Sequence, residues 1–231
     1  MRPAVLVSLT CALLVGCHGD PAPAADPFVT TFHRIKPTVV LFTMRLPSDD
    51  AKRKGQFDEA YGSGVVVASG AWGSQILTVE HVIHGARDLR ATLDDVRRVP
   101  ARVTAVDEKD DVALVAIPTR NRPTAVLGAS SVLEPGTAIG VAGYPIPDAF
   151  EDERLGTKTS VFSGRVSSLR HDAVELDVPV IPGESGGPVF DVATGTVVAL
   201  AESRFDEEKA IGFGVPIEDA KRFLRGKLHR P

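Results

Sequence analysis

The chain has 231 residues, of which 43% are hydrophobic and 24% charged. It is long enough to bury one large core or two small ones, and polar enough to keep a solvated surface. A net charge of −4 without any long Lys/Arg block argues against a nucleic-acid partner, and there is no internal repeat or low-complexity tract.

Met1-Arg2 carries one positive charge. Pro3 to Val15 is an apolar run too short to cross a bilayer as a mature helix, so residues 1–16 read as a signal peptide. The run ends in Leu14-Val15-Gly16-Cys17, which resembles the bacterial lipobox. That resemblance implies cleavage before Cys17, lipidation of Cys17 and a membrane anchor on an exported bacterial lipoprotein of the cell envelope. An ordinary secretory signal with an incidental Cys is the alternative. Cys11 would leave with the signal, so the folded part is expected to hold no disulfide and to depend on its core. Residues 17–26 read as a tether.

Asp26 is an N-cap candidate before Pro27, with Phe28, Phe32 and Ile35 on one helical face and Pro37 as the stop. The Phe28/Phe32 face either packs on a barrel or associates with a second copy. Thr38 to Thr43 is a β-branched strand. Pro47 to Ala60 reads as a polar, charged loop. Strands follow at Gly62 to Ala68, Ile76 to Val79, Leu89 to Leu93, Val99 to Val106 and Val112 to Ile117, with a single helical turn over Val82 to Gly85. After a linker at 119–127, strands recur at Thr137 to Ala142, Ser160 to Leu169, Ala173 to Val178, Pro188 to Phe190, Val197 to Glu202 and Ile211 to Val215, with Asp148 to Thr157 as a charged loop. Ile217 to Leu228 is an amphipathic helix with Ala220, Phe223 and Leu224 on its buried face. Strands every 8–12 residues with turn signals between them argue for an all-β protein built as barrels or sandwiches. The expected domains are an N-terminal barrel over 27–118, a C-terminal barrel over 128–216 and a helix and tail over 217–231.

Gly183-Glu184-Ser185-Gly186-Gly187-Pro188 is the chemical centre of the chain. Alone it is a Gly-rich turn. It becomes a nucleophile candidate because a His and an Asp stand upstream, each at the end of an apolar strand-like run. Ser185 would attack, His81 would take its proton and Asp111 would orient the imidazole, with Asp107 and Asp110 as nearby alternatives for the acid. The N–H groups of Gly183 and Ser185 could point into one oxyanion hole. His81-x-x-His84 spacing could set two imidazoles on one face for zinc, but no Cys is available and no third ligand is evident, so no metal and no cofactor are expected.

Taken together, these stretches resemble the trypsin-fold serine proteases, and among them the bacterial HtrA/Deg branch. The likeness runs from about Phe28 to Phe223. It is carried by Gly62-Ser63-Gly64-Val65-Val66, Leu77-Thr78-Val79-Glu80-His81-Val82-Ile83, Asp111-Val112-Ala113-Leu114 and the Ser185 hexapeptide, with Gly143-Tyr144-Pro145, Ser163 to Ser167 and Gly212 to Pro216 as further landmarks. The resemblance implies two six-stranded antiparallel Greek-key β-barrels with the site between them, a His81–Asp111–Ser185 triad and an acyl-enzyme intermediate. It implies a serine endopeptidase acting on unfolded or extended polypeptides. It also implies a substrate pocket lined by Pro179, Val180, Ile181, Leu200, Ala201, Glu202, Ile211 and Phe213. Pro179 falls where trypsin-like specificity needs an acid, so cleavage after small or medium apolar residues is expected. Glu202 either favours a basic substrate neighbour or is an exposed strand-end carboxylate. Two departures stand out: the sequence ends after its C-terminal helix, so the branch's peptide-binding domains are expected to be absent, and Glu184 stands where the family mostly has Asp or Asn. The competing reading is a silent, or partner-activated, protease-like module that binds peptides.

Overall fold

The computed structural model describes residues 25–48, 50–202 and 211–229. The expected signal peptide, Cys17 and most of the tether lie outside them. The helix α1 (Pro27–Ile35) starts as the sequence predicts: the Asp26 carboxylate accepts the Phe28 N–H at 2.8 Å, and Pro27 opens the first turn. Its apolar face packs on a barrel, for Phe28 stacks on Phe190 with ring centroids 6.1 Å apart and Phe32 lies against the same core.

The first sheet contains β1 (Val39–Pro47), β2 (Phe57–Gly70), β3 (Gly73–Thr78), β4 (Arg87–Leu93), β5 (Arg97–Pro100), β6 (Arg102–Asp107) and β7 (Val112–Ile117), in the order β5-β4-β1-β2-β3-β7-β6. Its seventh strand arises because the run predicted over Val99 to Val106 is broken. Pro100 has no N–H to offer a ladder, and Ala101 instead donates to Leu89 O at 3.0 Å. The two halves therefore pair at opposite edges, β5 with β4 and β6 with β7, and the single residue between them brings those edges together. The polar loop is also shorter than predicted. β1 and β2 pair from Val39↔Val65 out to Pro47↔Phe57, leaving only 48–56 as the turn.

The second sheet is a closed six-stranded barrel, β10-β13-β12-β11-β8-β9, built from β8 (Ala138–Gly143), β9 (Ser160–Leu169), β10 (Val174–Leu176), β11 (Pro188–Asp191), β12 (Val197–Glu202) and β13 (Gly212–Pro216). Part of the predicted charged loop is the short helix α3 (Pro147–Asp152), started by Pro147. The C-terminal helix α4 (Ile217–Phe223) is shorter than the predicted amphipathic run, although Leu224 beyond it stays buried. One apolar cluster fills the first sheet and continues through Phe190, Leu200, Val215 and α4. A second fills the closed barrel. The linker is tied down, with Arg122 forking onto both Asp94 oxygens at 2.7 Å and donating to Pro37 O at 2.9 Å.

Candidate active site

β3 is buried along its whole length and pairs antiparallel with β7, with Thr78 opposite Ala113. The residues just past the end of β3 therefore lie beside the residue just before β7. That register places His81, in the helical turn α2 (Glu80–Ile83), against Asp111. The turn begins two residues earlier than predicted, so His81 belongs to it. Asp111 takes a left-handed backbone (φ +47°), a conformation Asp tolerates better than most residues. Its Oδ1 accepts the His81 backbone N–H at 2.9 Å, and its Oδ2 meets His81 Nδ1 at 2.7 Å. The other two aspartates are committed elsewhere: Asp107 accepts the N–H groups of Lys109 and Asp110, and Asp110 pairs with Arg222 at 2.7 Å. Partial burial disfavours the imidazolium. The hydrogen bond and charge of Asp111, with the charges of Glu202 and Glu80, outweigh it and raise the His81 pKa above 6.5. The His81 side chain stays 44% exposed.

Ser185 is only 6% exposed, on a loop gripped from the other barrel. Ser63, fully buried in β2, makes the grip. Its N–H donates to Ser185 O at 2.8 Å, its hydroxyl donates to Gly183 O at 2.7 Å, and that hydroxyl accepts the Tyr144 N–H at 3.0 Å. The Pro182 carbonyl accepts the Ile146 N–H at 2.8 Å, and the Ile181 carbonyl accepts from Glu184 N at 2.9 Å. Three successive carbonyls thus have partners of their own, while the N–H groups of Gly183 and Ser185 meet no acceptor among the described residues. In a trans peptide the C=O and N–H point oppositely, so the Pro182–Ile146 bond turns the Gly183 N–H away from Ile146. Gly183 has φ +96°, and a Cβ there would strike the Tyr144 carbonyl oxygen. Ile146 is the unexpected element, a β-branched residue at φ +35°, where backbone strain is held by its neighbours.

Glu184 is wholly buried. One oxygen accepts the Ile181 N–H at 2.8 Å and the other has no partner among the described residues. Burial pushes its carboxyl up to about 7, against the opposing effect of that bond. Between Ser185 Oγ and His81 Nε2 there is no hydrogen bond among the described residues.

Of the predicted pocket, Val180 and Ala201 are buried in the core of the closed barrel, while Leu200 is buried in the cluster shared with the first sheet and α4. Pro179 and Ile181 are half-buried and Ile211 is 44% exposed. Glu202, opposite Phe213 in the β12–β13 ladder, is only 9% exposed, which rules out the exposed strand-end reading. Residues 203–210 lie outside the described residues. In the sequence Ser63 stands only as part of a Gly-rich strand. A small hydroxyl between two glycines in a buried strand was the available signal. Glu108 went unremarked beside Glu80 and His84, and the fold brings one ligand atom from each of the three within 4.8 Å of one another.

The chain was compared with known proteins. A family model described as a trypsin-like peptidase domain matches residues 62–200. Protease Do-like 1, chloroplastic, of Arabidopsis thaliana is 30% identical over 88% of this chain and 49% of its own length. A DegP-like protein of Pseudomonas savastanoi pv. phaseolicola, named among periplasmic serine endoproteases, is 32% identical over 70% of this chain and 33% of its own length. The chain thus spans about a third to a half of these curated relatives. Among solved structures, the HtrA-type protease AlgW with a tripeptide superposes with a TM-score of 0.70 at 24% identity, covering 86% of this chain and 62% of that one, a likeness of fold.

Proposed function

Because this chain belongs to the trypsin-like peptidase domain family, we propose that it is a serine endopeptidase working through His81, Asp111 and Ser185. Ser185 Oγ gives its proton to His81 Nε2 and attacks the scissile carbonyl carbon. The resulting oxyanion takes hydrogen bonds from the Gly183 and Ser185 N–H groups. His81 then protonates the leaving amine, the C–N bond breaks and an acyl-enzyme remains. Water, deprotonated by His81, releases the acid and restores the Ser185 hydroxyl. The observation that carries this reading is the pair of bonds from Asp111 to His81. With its N–H and Nδ1 both held, the ring keeps Nε2 free as the base.

The substrate is an extended polypeptide in the bacterial cell envelope, with Cys17 as the lipid-carrying anchor. Support comes from the lipobox-like Leu14 to Cys17 and from the periplasmic designation of a relative. Cleavage follows small or medium apolar residues, since Pro179 places no acid in the pocket. The absence of a Ser185–His81 hydrogen bond among the described residues favours a second reading, a silent peptide-binding module, although such bonds often tighten only with substrate.

Fluorophosphonate labelling of a soluble form beginning near Asp20 separates the two. Labelling of the parent, lost in Ser185→Ala and His81→Ala, is the expected result. No labelling of a folded parent overturns the protease reading.

A further inference from the structure

Glu80, His84 and Glu108 stand apart from the proton path described above, yet they come from the two segments that carry His81 and Asp111. Glu80 precedes His81 in α2, and His84 follows at the spacing that puts i and i+4 on one helical face. Glu108 sits in the turn leading to Asp111. An imidazole nitrogen and two carboxylate oxygens lie within 4.8 Å of one another. His84 Nδ1 and Glu80 Oε1 are 2.7 Å apart.

A bare acidic cluster on a surface would say little. Here one member is largely buried: the Glu80 side chain is 11% exposed, and its hydrogen-bond partner among the described residues is His84 alone. A carboxylate so largely covered is favoured by a cation or by several donors. No Arg or Lys pairs with Glu80, His84 or Glu108 among the described residues. The His84 imidazole offers one hydrogen bond and, when protonated, a single charge, while the second carboxylate, Glu108, adds repulsion. A divalent cation would relieve both.

We propose that Glu80, His84 and Glu108 form a site for a divalent transition-metal ion, zinc foremost. One nitrogen and two oxygens with a water as fourth ligand is a zinc donor set, whereas calcium and magnesium ask for a larger all-oxygen shell. Ligands about 2.0–2.2 Å from tetrahedral zinc stand roughly 3.3–3.5 Å apart. The His84–Glu80 contact therefore opens slightly, and the exposed Glu108 side chain closes in, moves that surface side chains make without shifting the backbone. The bound ion would tie the turn bearing His81 to the turn bearing Asp111. The inference does not depend on whether the chain hydrolyses peptides.

The test is zinc chloride titrated calorimetrically into the EDTA-stripped full chain, beside the variants His84→Ala, Glu108→Gln and His81→Ala. Glu108 is exposed, so Glu108→Gln should unfold like the parent without metal, whereas His84→Ala, which also removes the partner of Glu80, is read by its zinc affinity alone. Expected are one zinc per chain in the micromolar range and at least a tenfold weakening in His84→Ala and in Glu108→Gln, a loss of the size that even outer partners of a metal site cause. Affinity unchanged in His81→Ala, and a zinc-dependent rise of about 5 °C in the parent's Tm that is absent in Glu108→Gln, complete the expectation. No binding at millimolar zinc, or binding indifferent to both variants, overturns the proposal. So does binding lost in His81→Ala and kept in His84→Ala, which would move the metal to the triad.

Discussion

The two halves of the site are held by different means. His81 and Asp111 are neighbours through one strand register, with Thr78 opposite Ala113, and one carboxylate grips one residue twice. Both side chains remain partly exposed, at 44% and 25%. The Ser185 loop is buried and has no strand register of its own at Ser185. It is held from outside, by Ser63 across the barrels, by Ile146 on the Pro182 carbonyl and by Glu184 from within. The exposed half is thus organised by a single charged contact, and the buried half by several neutral ones. Charge gives direction to a mobile ring. Close packing and satisfied backbone groups give a loop its shape.

The contrast is broken most sharply at Asp111. Asp111→Asn keeps an acceptor for the His81 N–H but presents the wrong partner to Nδ1, so kcat/KM should fall by about 10⁴ with little change in Tm. In the parent, the acid limb of the kcat/KM profile should lie above 6.5, because the raised His81 pKa keeps the base protonated to higher pH. If Asp111→Asn retains activity within tenfold, the pair of bonds is not the organiser.

Ser63→Ala tests the other half. It leaves Gly183 O and Tyr144 N without a partner in a buried place, at a cost of about 1–3 kcal/mol. Loosening an oxyanion donor should also slow turnover roughly 10–100-fold, less than losing that donor outright. Here stability and activity fall together, whereas at Asp111 they separate. Denaturant unfolding alongside peptide hydrolysis would show either pattern.

The smallest effect on turnover is expected at Glu184. Its folded pKa is raised to about 7 from 4.5, so the folded state holds a proton that the unfolded state gives up. Stability from this group is complete below pH 4.5. It declines as pH rises towards 7, by on the order of 3 kcal/mol, and is level above that. Glu184→Gln should flatten this slope while leaving kcat within a few-fold. A parent whose stability does not fall between these two pH values would show that the carboxyl is ionised in place.

Much of the architecture was legible from local pattern. The β-branched runs, the turn signals and the apolar faces of α1 and α4 are short-range features, set by side-chain period and by Pro or Asp at helix starts. They placed most strands to within a few residues and marked the apolar face of α1, which packs on Phe190. What they could not show depends on distant partners. Nothing near Ser63 announces that it will hold Gly183, 120 positions away. Only its place before an apolar strand sets Asp111 ahead of Asp107 and Asp110 in the sequence; the contact of Asp111 with His81 and that of Asp110 with Arg222 come from the fold. The split at Ala101, the burial of Glu202 and Glu184, and the meeting of Glu108 with Glu80 and His84 are of the same kind. Local sequence determined which residues could form strands, bases and nucleophiles. The tertiary structure decided which of them meet and which are left without water, because burial and register are properties of the whole sheet and not of any one segment.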